Sequence, residues 1–207
     1  MTSLHVERVS RTNAGCAAPL PLVLLHGWGL NLRVWDEVRG PLAAERDVLA
    51  LDLPGHGRSP FDADAASLEA QTDAVLAALP PRCALLGWSL GGQIALEMAV
   101  RAPARVVKLV LVATTPRFTQ ASDWPHGMRP TVLAGFAGHL ERDLRATVIE
   151  FLELQVRGSE QSEVVLNLDQ VLFRFGLGVG QFQSIGQFGR FVEHLVQFAV
   201  LVGARVF

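Results

Sequence analysis

The feature that most constrains this chain is the apolar run of residues 83–88, which leads into Gly-Trp-Ser-Leu-Gly and then into helix-forming residues. A strand that turns sharply into a helix at a Gly-x-Ser-x-Gly sequence lifts the serine hydroxyl clear of the sheet. Gly87 and Gly91 flank this turn, where the backbone leaves no room for a Cβ. Ser89 then lies at a helix N-terminus, which favours negative charge developing nearby. The segment therefore predicts a serine nucleophile that attacks a carbonyl.

A glycine-bearing loop at residues 26–29, His-Gly-Trp-Gly, predicts the second part of this chemistry. Attack on a carbonyl needs two N–H donors aimed at the oxyanion, one from the residue after the nucleophile, Leu90, and one from such a loop. We expect the backbone N–H of Trp28 to be the loop's donor; the alternative is a simple turn with a packing tryptophan. His26 is predicted to brace the loop by hydrogen bonds, and His56, in a glycine-rich turn, is also predicted to be structural.

Apolar strands alternate with helical segments, which predicts an α/β fold: a mostly parallel sheet with helices on both faces. Residues 4–10 alternate like an edge strand. Further strands are expected at residues 20–25, 48–53, 83–88 and 106–112, and helices at residues 34–44, 65–79 and 90–101. Ligands of such sheets bind beyond the carboxyl ends of the strands. Residues 26–30, Ser89 and Thr114 all fall at those ends.

Helical spacing also follows the last predicted strand. Residues 116–130 are turn-rich, and apolar residues then recur at the helical period: Phe136, Leu140, Leu144, Val148, Phe151, Leu152 and Leu154. These helices are predicted to form a lid over an apolar acyl channel, although ordinary packing explains the same apolar faces. The predicted division is a core at residues 1–115, a helical lid at 116–167 and an atypical tail at 168–207.

Composition argues against several classes of protein. The 207 residues are 50% hydrophobic with a formal charge of −2, which fits one globular domain and argues against nucleic-acid or anionic-membrane partners. No stretch reaches the roughly 18 apolar residues of a membrane span, and the first residues do not resemble a secretory signal. We expect a cytoplasmic monomer.

Three stretches of sequence, taken together, carry a family resemblance. They are His-Gly-Trp-Gly-Leu-Asn at residues 26–31 with Val34-Trp35, Asp-Leu-Pro-Gly-His-Gly-Arg-Ser at 52–59, and Gly-Trp-Ser-Leu-Gly-Gly-Gln-Ile-Ala at 87–95. They resemble the α/β-hydrolase superfamily. Their combination is most similar to the pimeloyl-acyl-carrier-protein methyl ester carboxylesterases of biotin synthesis, whose lid segment also resembles Phe-Leu-Glu-Leu-Gln at residues 151–155. The resemblance spans about residues 21–167.

What this resemblance implies is a serine carboxylesterase, without metal or cofactor, that removes the methyl cap from a pimeloyl thioester on acyl carrier protein. Ser89 would be the nucleophile, and the N–H groups of Trp28 and Leu90 the oxyanion hole. The acyl chain would contact Phe151, Leu152, Glu153, Leu154 and Gln155. Basic lid residues of that family help to hold the acidic carrier, and the nearest candidates here are Arg142, Arg145 and Arg157. A solvated amphipathic face explains these arginines equally well.

The composition changes abruptly near residue 168. Seven of the eleven phenylalanines follow that point, no proline follows Pro130, and Glu193 is the only acid in residues 170–207. An altered reading frame near residues 167–169 would explain the change. It would remove the last core strands and leave residues 106–112 as an exposed apolar sheet edge.

The partners of the serine are not evident from the sequence. A hydrolase of this fold orders its triad as serine, acid, histidine. His126 and His139 fall in the predicted lid, His194 lacks the Gly-His context of the family, and Asp169 and Glu193 are the only late acids. Two alternatives therefore stay open beside the carboxylesterase. One is an inactive, truncated hydrolase relic without the triad acid and histidine, and the other is a hydrolase of another branch, such as a thioesterase or C–C hydrolase.

Overall fold

The computed structural model describes residues 3–13, 19–62 and 66–156. Its strands are β1 (Val6–Val9), β2 (Leu22–Leu25), β3 (Val48–Leu51), β4 (Cys83–Trp88) and β5 (Val106–Val112). They form one sheet in the spatial order β1-β3-β2-β4-β5, in which β1 is antiparallel to its neighbour and the other pairs are parallel. The predicted mostly parallel α/β sheet is confirmed, and β1 is an edge strand as predicted.

The helices alternate with these strands and then continue beyond them. They are a short 3-10 helix (Leu32–Trp35), α1 (Asp36–Leu42), α2 (Leu68–Ala78), α3 (Leu90–Arg101), α4 (Pro130–Arg142) and α5 (Leu144–Val156). None of the described helices is both long and apolar enough to cross a bilayer.

Two predicted helix boundaries were wrong, and a side-chain cap explains each. The helix predicted over residues 34–44 begins earlier, with a 3-10 turn whose start is capped by the Asn31 side chain. The helix predicted over residues 65–79 begins later, because Ser67 Oγ accepts the N–H of Ala70 at 3.1 Å and sets the first turn.

Helices cover both faces of the central strands. On one face, the strands pack against the 3-10 helix and the residue that follows α1, in a buried cluster of Leu22, Leu24, Leu32, Ala43, Val48, Ala50 and Ala84. On the other face, α3 lies so close to β4 that a Cβ on Gly87 would come within 2.6 Å of Gly92 Cα. All four residues of β2 are buried, as expected for a parallel strand between two layers of helices.

Strand β5 has a partner on one side only, considering residues 3–156 where the structure describes them. Four of its seven residues are exposed hydrophobic side chains: Val107, Val110, Leu111 and Val112. The predicted apolar edge at residues 106–112 is thus confirmed for the described part of the chain. The predicted atypical tail, residues 168–207, lies outside it.

The chain divides after Pro116 into two compact units, of which the first holds the sheet. In the second unit, α4 and α5 pack against each other, and the rings of Phe136 and Phe151 lie 6.0 Å apart. The two helices separate at Asp143, whose carboxylate accepts the N–H of Ala146 at 2.9 Å. The assignment of residues 116–167 as a lid stays a prediction.

Candidate active site

Ser89 lies at the turn between β4 and α3, where the sequence predicted it. Its backbone has φ 52° and ψ −115°, a region that non-glycine residues rarely adopt and that costs of order 1–3 kcal/mol. The Ser89 N–H donates to Val112 O at 3.0 Å, while its carbonyl accepts the N–H groups of Gly92 at 2.9 Å and Gln93 at 3.1 Å. Both β5 and α3 therefore hold this strained residue in place.

The loop that follows β2 packs directly against the turn. A Cβ on Gly91 would lie 2.5 Å from His26 O and closer still to Leu25 O, and the Gly91 N–H donates to His26 O at 3.1 Å. A Cβ on Gly27 would lie 3.4 Å from Ser89 Cβ. The neighbouring strands β2 and β4 thus bring the glycine-bearing loop to the serine.

The two predicted oxyanion donors lie at this contact. Trp28 follows Gly27 in the loop after β2, and Leu90 is the first residue of α3. The first amides of a helix have no acceptor within the helix. The Leu90 N–H therefore points out of the N-terminus of α3 and can donate to a group bound there. The structure therefore places Ser89, Trp28 and Leu90 at the carboxyl ends of two adjacent strands.

His26 is completely buried and holds the loop through both ring nitrogens. Nδ1 donates to Gly27 O at 2.8 Å, and Nε2 accepts the N–H of Leu53 at 3.0 Å. An Nε2 that accepts a hydrogen bond requires a neutral ring with its proton on Nδ1. His26 braces the loop as predicted, and neither nitrogen remains to act as a base toward Ser89.

This neutral histidine predicts a loss of stability in acid. Burial, with a smaller contribution from the His56 ring 5.3 Å away, lowers the pKa of His26 from 6.5 to about 3. Below pH 6.5 the unfolded chain binds a proton that the folded chain does not, so the free energy of unfolding falls as the pH falls. We expect His26 to contribute a slope of about 1.4 kcal/mol per pH unit down to its folded-state pKa, measured by urea unfolding.

The control for this prediction is His26→Gln, which retains a donor and an acceptor but does not titrate. The variant should be less stable at neutral pH. Its free energy of unfolding should also fall less steeply as the pH falls, because unfolding takes up about one proton fewer. His56, whose pKa burial also lowers, is present in both proteins, so its contribution cancels to first order. An identical acid dependence in the two proteins would contradict the assignment.

Asp52 is a buried residue whose place in the site was not predicted from the sequence motifs. Its Oδ1 accepts the N–H of Leu32 and its Oδ2 the N–H of Arg58, both at 2.8 Å. A Cβ on Gly57 would lie 2.6 Å from Oδ1, so the turn wraps closely around the carboxylate. Asp52 joins the loops after β2 and β3, and the signal for it was its position at the start of Asp-Leu-Pro-Gly-His-Gly.

The residues predicted to contact the acyl chain lie in the second unit, on α5. Phe151 is partly buried, Leu152 is buried, and Glu153 and Leu154 are exposed, while the side chain of Gln155 lies outside the description. Their contact with an acyl chain stays a prediction.

No hydrogen bond reaches Ser89 Oγ from another described residue. His126 and His139 are exposed residues of the second unit. The remaining candidates for the acid and base, Asp169, Glu193 and His194, lie outside the described residues. Within the described ranges there is also no group of three or more His, Cys, Asp or Glu side chains that could hold a metal ion.

Comparison with known sequences relates this chain to one family. A family profile described as alpha/beta hydrolase fold matches residues 21–174. The chain is 43% identical over 166 residues to a protein of Nitrosomonas europaea named pimeloyl-[acyl-carrier protein] methyl ester esterase, covering 80% of this chain and 63% of that protein. A Klebsiella pneumoniae protein of the same name is 49% identical over 141 residues, covering 68% of this chain and 54% of that protein. The chain thus spans less than two thirds of the length of these relatives.

Solved structures show the same fold. An esterase from Exiguobacterium antarcticum matches with a TM-score of 0.72 at 21% identity, covering 94% of this chain and 69% of that one. An enol-lactonase from Burkholderia xenovorans matches with a TM-score of 0.68 at 21% identity, covering 93% of this chain and 68% of the other. At such identity the likeness concerns the fold, and it agrees with the fold that the motifs predicted.

Proposed function

The chain belongs to the α/β-hydrolase fold family, and from this premise we propose that it is a serine carboxylesterase that hydrolyses the methyl ester of pimeloyl-acyl-carrier protein in biotin synthesis. The observation that carries the proposal is the strained Ser89 between β4 and α3, packed against the loop that bears Trp28. Two relatives, 43% and 49% identical, are named as esterases of this substrate. Their names support this function over the alternative that the chain is an inactive relic.

In the proposed reaction, Ser89 Oγ bonds to the ester carbonyl carbon while its proton passes to a general base. The N–H groups of Trp28 and Leu90 stabilise the resulting oxyanion, and each such donor typically contributes about 10²–10³ in rate. Collapse of the tetrahedral intermediate breaks the bond to the methoxy oxygen, which leaves as methanol with that proton. Water then attacks the acyl-serine, releasing the carboxylate and restoring the Ser89 hydroxyl.

The proposed substrate itself separates this function from the alternatives, because it holds an oxygen ester at one end and a thioester at the other. Attack on the methyl ester yields methanol and leaves the acyl chain on its carrier. Attack on the thioester frees the carrier thiol instead. Mass spectrometry of the carrier after incubation with the full chain distinguishes these two products.

We expect the carrier to retain an acyl group that has lost its methyl. Release of free carrier would support a thioesterase. Neither product, together with no labelling of Ser89 by a fluorophosphonate probe, would support an inactive relic.

We further propose that α5 contributes the acyl-binding residues Phe151, Leu152, Glu153, Leu154 and Gln155, and that the chain acts as a cytoplasmic monomer. The resemblance of residues 151–155 to the lid segment of the family supports the first part. Sedimentation equilibrium of the purified chain tests the proposed monomeric state, and a dimer would contradict it.

Because the proposed carrier is acidic, we predict that two exposed arginines contribute to its binding: Arg142 on α4 and Arg145 on α5. Reversing both charges should raise KM for the carrier-bound ester by about tenfold at low salt. Charges at the rim of an interface mainly change the rate of association, and salt screens this effect. KM for a small 4-nitrophenyl ester should stay the same.

The matched control is Arg82→Glu. Arg82 is exposed and comes directly before β4, whereas Ser89 comes directly after it, so the two residues lie at opposite ends of this strand. An equal rise of KM in this variant would show a general charge effect and would contradict a carrier site on α4 and α5.

A further inference from the structure

We propose that Thr114 is a positioning residue that aims the Leu90 amide at the oxyanion by holding the carbonyl of the same peptide unit. The proposal rests on the esterase function proposed above. It concerns a residue that follows β5 and so belongs neither to the Gly-x-Ser-x-Gly turn nor to the loop after β2. The observation behind it is a hydrogen bond of 2.7 Å from Thr114 Oγ1 to Ser89 O.

The geometry of the peptide bond links this contact to the reaction. Ser89 C=O and Leu90 N–H belong to one planar unit, and the described chain has no cis peptide bond. In a trans unit the two groups point in opposite directions. A group that fixes the direction of Ser89 C=O therefore also fixes the direction of Leu90 N–H. A hydrogen bond accepted by the carbonyl also polarises the amide and strengthens it as a donor.

The remaining contacts of that carbonyl cannot replace Thr114. Ser89 O otherwise accepts the N–H groups of Gly92 and Gln93, which belong to the first turn of α3 and move with it. In the described part of the chain, Thr114 is the one hydrogen-bond donor to this carbonyl from outside α3. It ties the peptide unit to the segment that follows β5 rather than to the helix.

Thr114 is itself held firmly in this position. The residue before it, Ala113, has φ 46°, and Ala113 and Ser89 are the only described non-glycine residues with positive φ. The Gln93 side chain donates to the carbonyl of Thr115 at 3.1 Å. A Cβ on Gly92 would lie 2.6 Å from Thr114 Cγ2, so the helix has a glycine where the threonine side chain needs the space. Two strained turns thus meet at one hydrogen bond.

The test compares Thr114→Val, which keeps the shape but removes the hydroxyl, with Thr114→Ser, which keeps the hydroxyl. In the full chain, with a 4-nitrophenyl ester, we expect the valine variant to lose about tenfold in kcat with KM within about twofold. This is part of the 10²–10³-fold effect of losing an oxyanion donor outright. The serine variant should recover to within about threefold of the parent chain.

Thr147→Val is the matched control. Thr147 is a buried threonine whose Oγ1 donates to Asp143 O, also at 2.7 Å, in the second unit. Its loss should leave kcat unchanged. The proposal is overturned if Thr114→Val retains full kcat, or if the serine and valine variants lose activity equally.

A second measurement does not depend on turnover. The ¹⁵N chemical shift of the Leu90 amide reports the hydrogen bond on the preceding carbonyl, so it should change in Thr114→Val and return toward the parent value in Thr114→Ser. If the parent chain neither hydrolyses esters nor reacts with a fluorophosphonate, the proposed function fails, and this shift still tests Thr114. An unchanged Leu90 shift in the valine variant overturns the inference.

Discussion

Ser89→Ala is expected to lower kcat/KM for the methyl ester by about 10⁴–10⁶-fold, because it removes the proposed nucleophile. Without Oγ no acyl-serine forms, and only the oxyanion donors and substrate binding remain to favour attack by water. Steady-state hydrolysis of the methyl ester measures the loss. Labelling by a fluorophosphonate, which reacts at the same oxygen, should disappear with it.

Ser67→Ala is the control, because Ser67 also precedes a helix and differs in what its hydroxyl does. Ser67 Oγ caps α2 by accepting the Ala70 N–H, whereas the Ser89 side chain makes no capping hydrogen bond to α3. Loss of the cap should cost about 1 kcal/mol of stability and leave kcat/KM nearly unchanged. If Ser89→Ala kept activity within tenfold of the parent chain, another group would have to be the nucleophile.

The turn at Ser89 could be predicted from sequence because every signal for it is local. The apolar run of β4, the glycines at positions 87 and 91 and the helical residues that follow lie within about twenty residues. The same is true of β1, whose alternation identified an edge strand, and of the apolar β5. The bracing role of His26 is predictable for the same reason, since the motif places His26 at the start of the loop that it holds.

The contacts that complete the site are not local, and the sequence did not predict them. Asp52 and Leu32 lie twenty positions apart, and Thr114 and Ser89 twenty-five. Their meeting depends on the lateral order of the strands, which places β3 beside β2 and β5 beside β4. Periodicity identifies a strand but says nothing of its neighbour, so hydrogen bonds between successive loops become visible only once the sheet is assembled.

The second unit shows the same limit from another side. Helical spacing from Phe136 to Leu154 predicted helices there, but it did not place the break at Asp143 between α4 and α5. There the chain leaves the helix and Asp143 caps the next one through the Ala146 N–H. What the apolar residues of α5 contact depends on packing between distant segments, for which helical spacing carries no information.

Gly91→Ala is expected to cost about 3 kcal/mol of stability and to lower the hydrolysis rate by at least about 100-fold. Alanine is the better helix former by about 1 kcal/mol, so propensity alone predicts a gain. The clash decides the sign: the new Cβ would meet two backbone carbonyls, Leu25 O and His26 O, the second at 2.5 Å. Backbone atoms cannot rotate away as a side chain can, and overpacking of this kind costs 1–3 kcal/mol or more.

Relief of that clash requires α3 to move away from the loop after β2, which breaks the hydrogen bond from Gly91 N–H to His26 O. The movement separates Ser89 from the loop that carries Trp28, and a displacement of about 1 Å can cost 10²-fold in rate. Urea unfolding and initial rates measure the two effects. Gly135→Ala is the control, since Gly135 lies exposed within α4 with nothing within 4 Å of its Cβ position, and should gain about 0.5–1 kcal/mol. Equal stabilisation by both substitutions would contradict this prediction. It would mean that α3 is not packed against the carbonyls of Leu25 and His26, and so that this contact does not hold Ser89 beside the loop that carries Trp28.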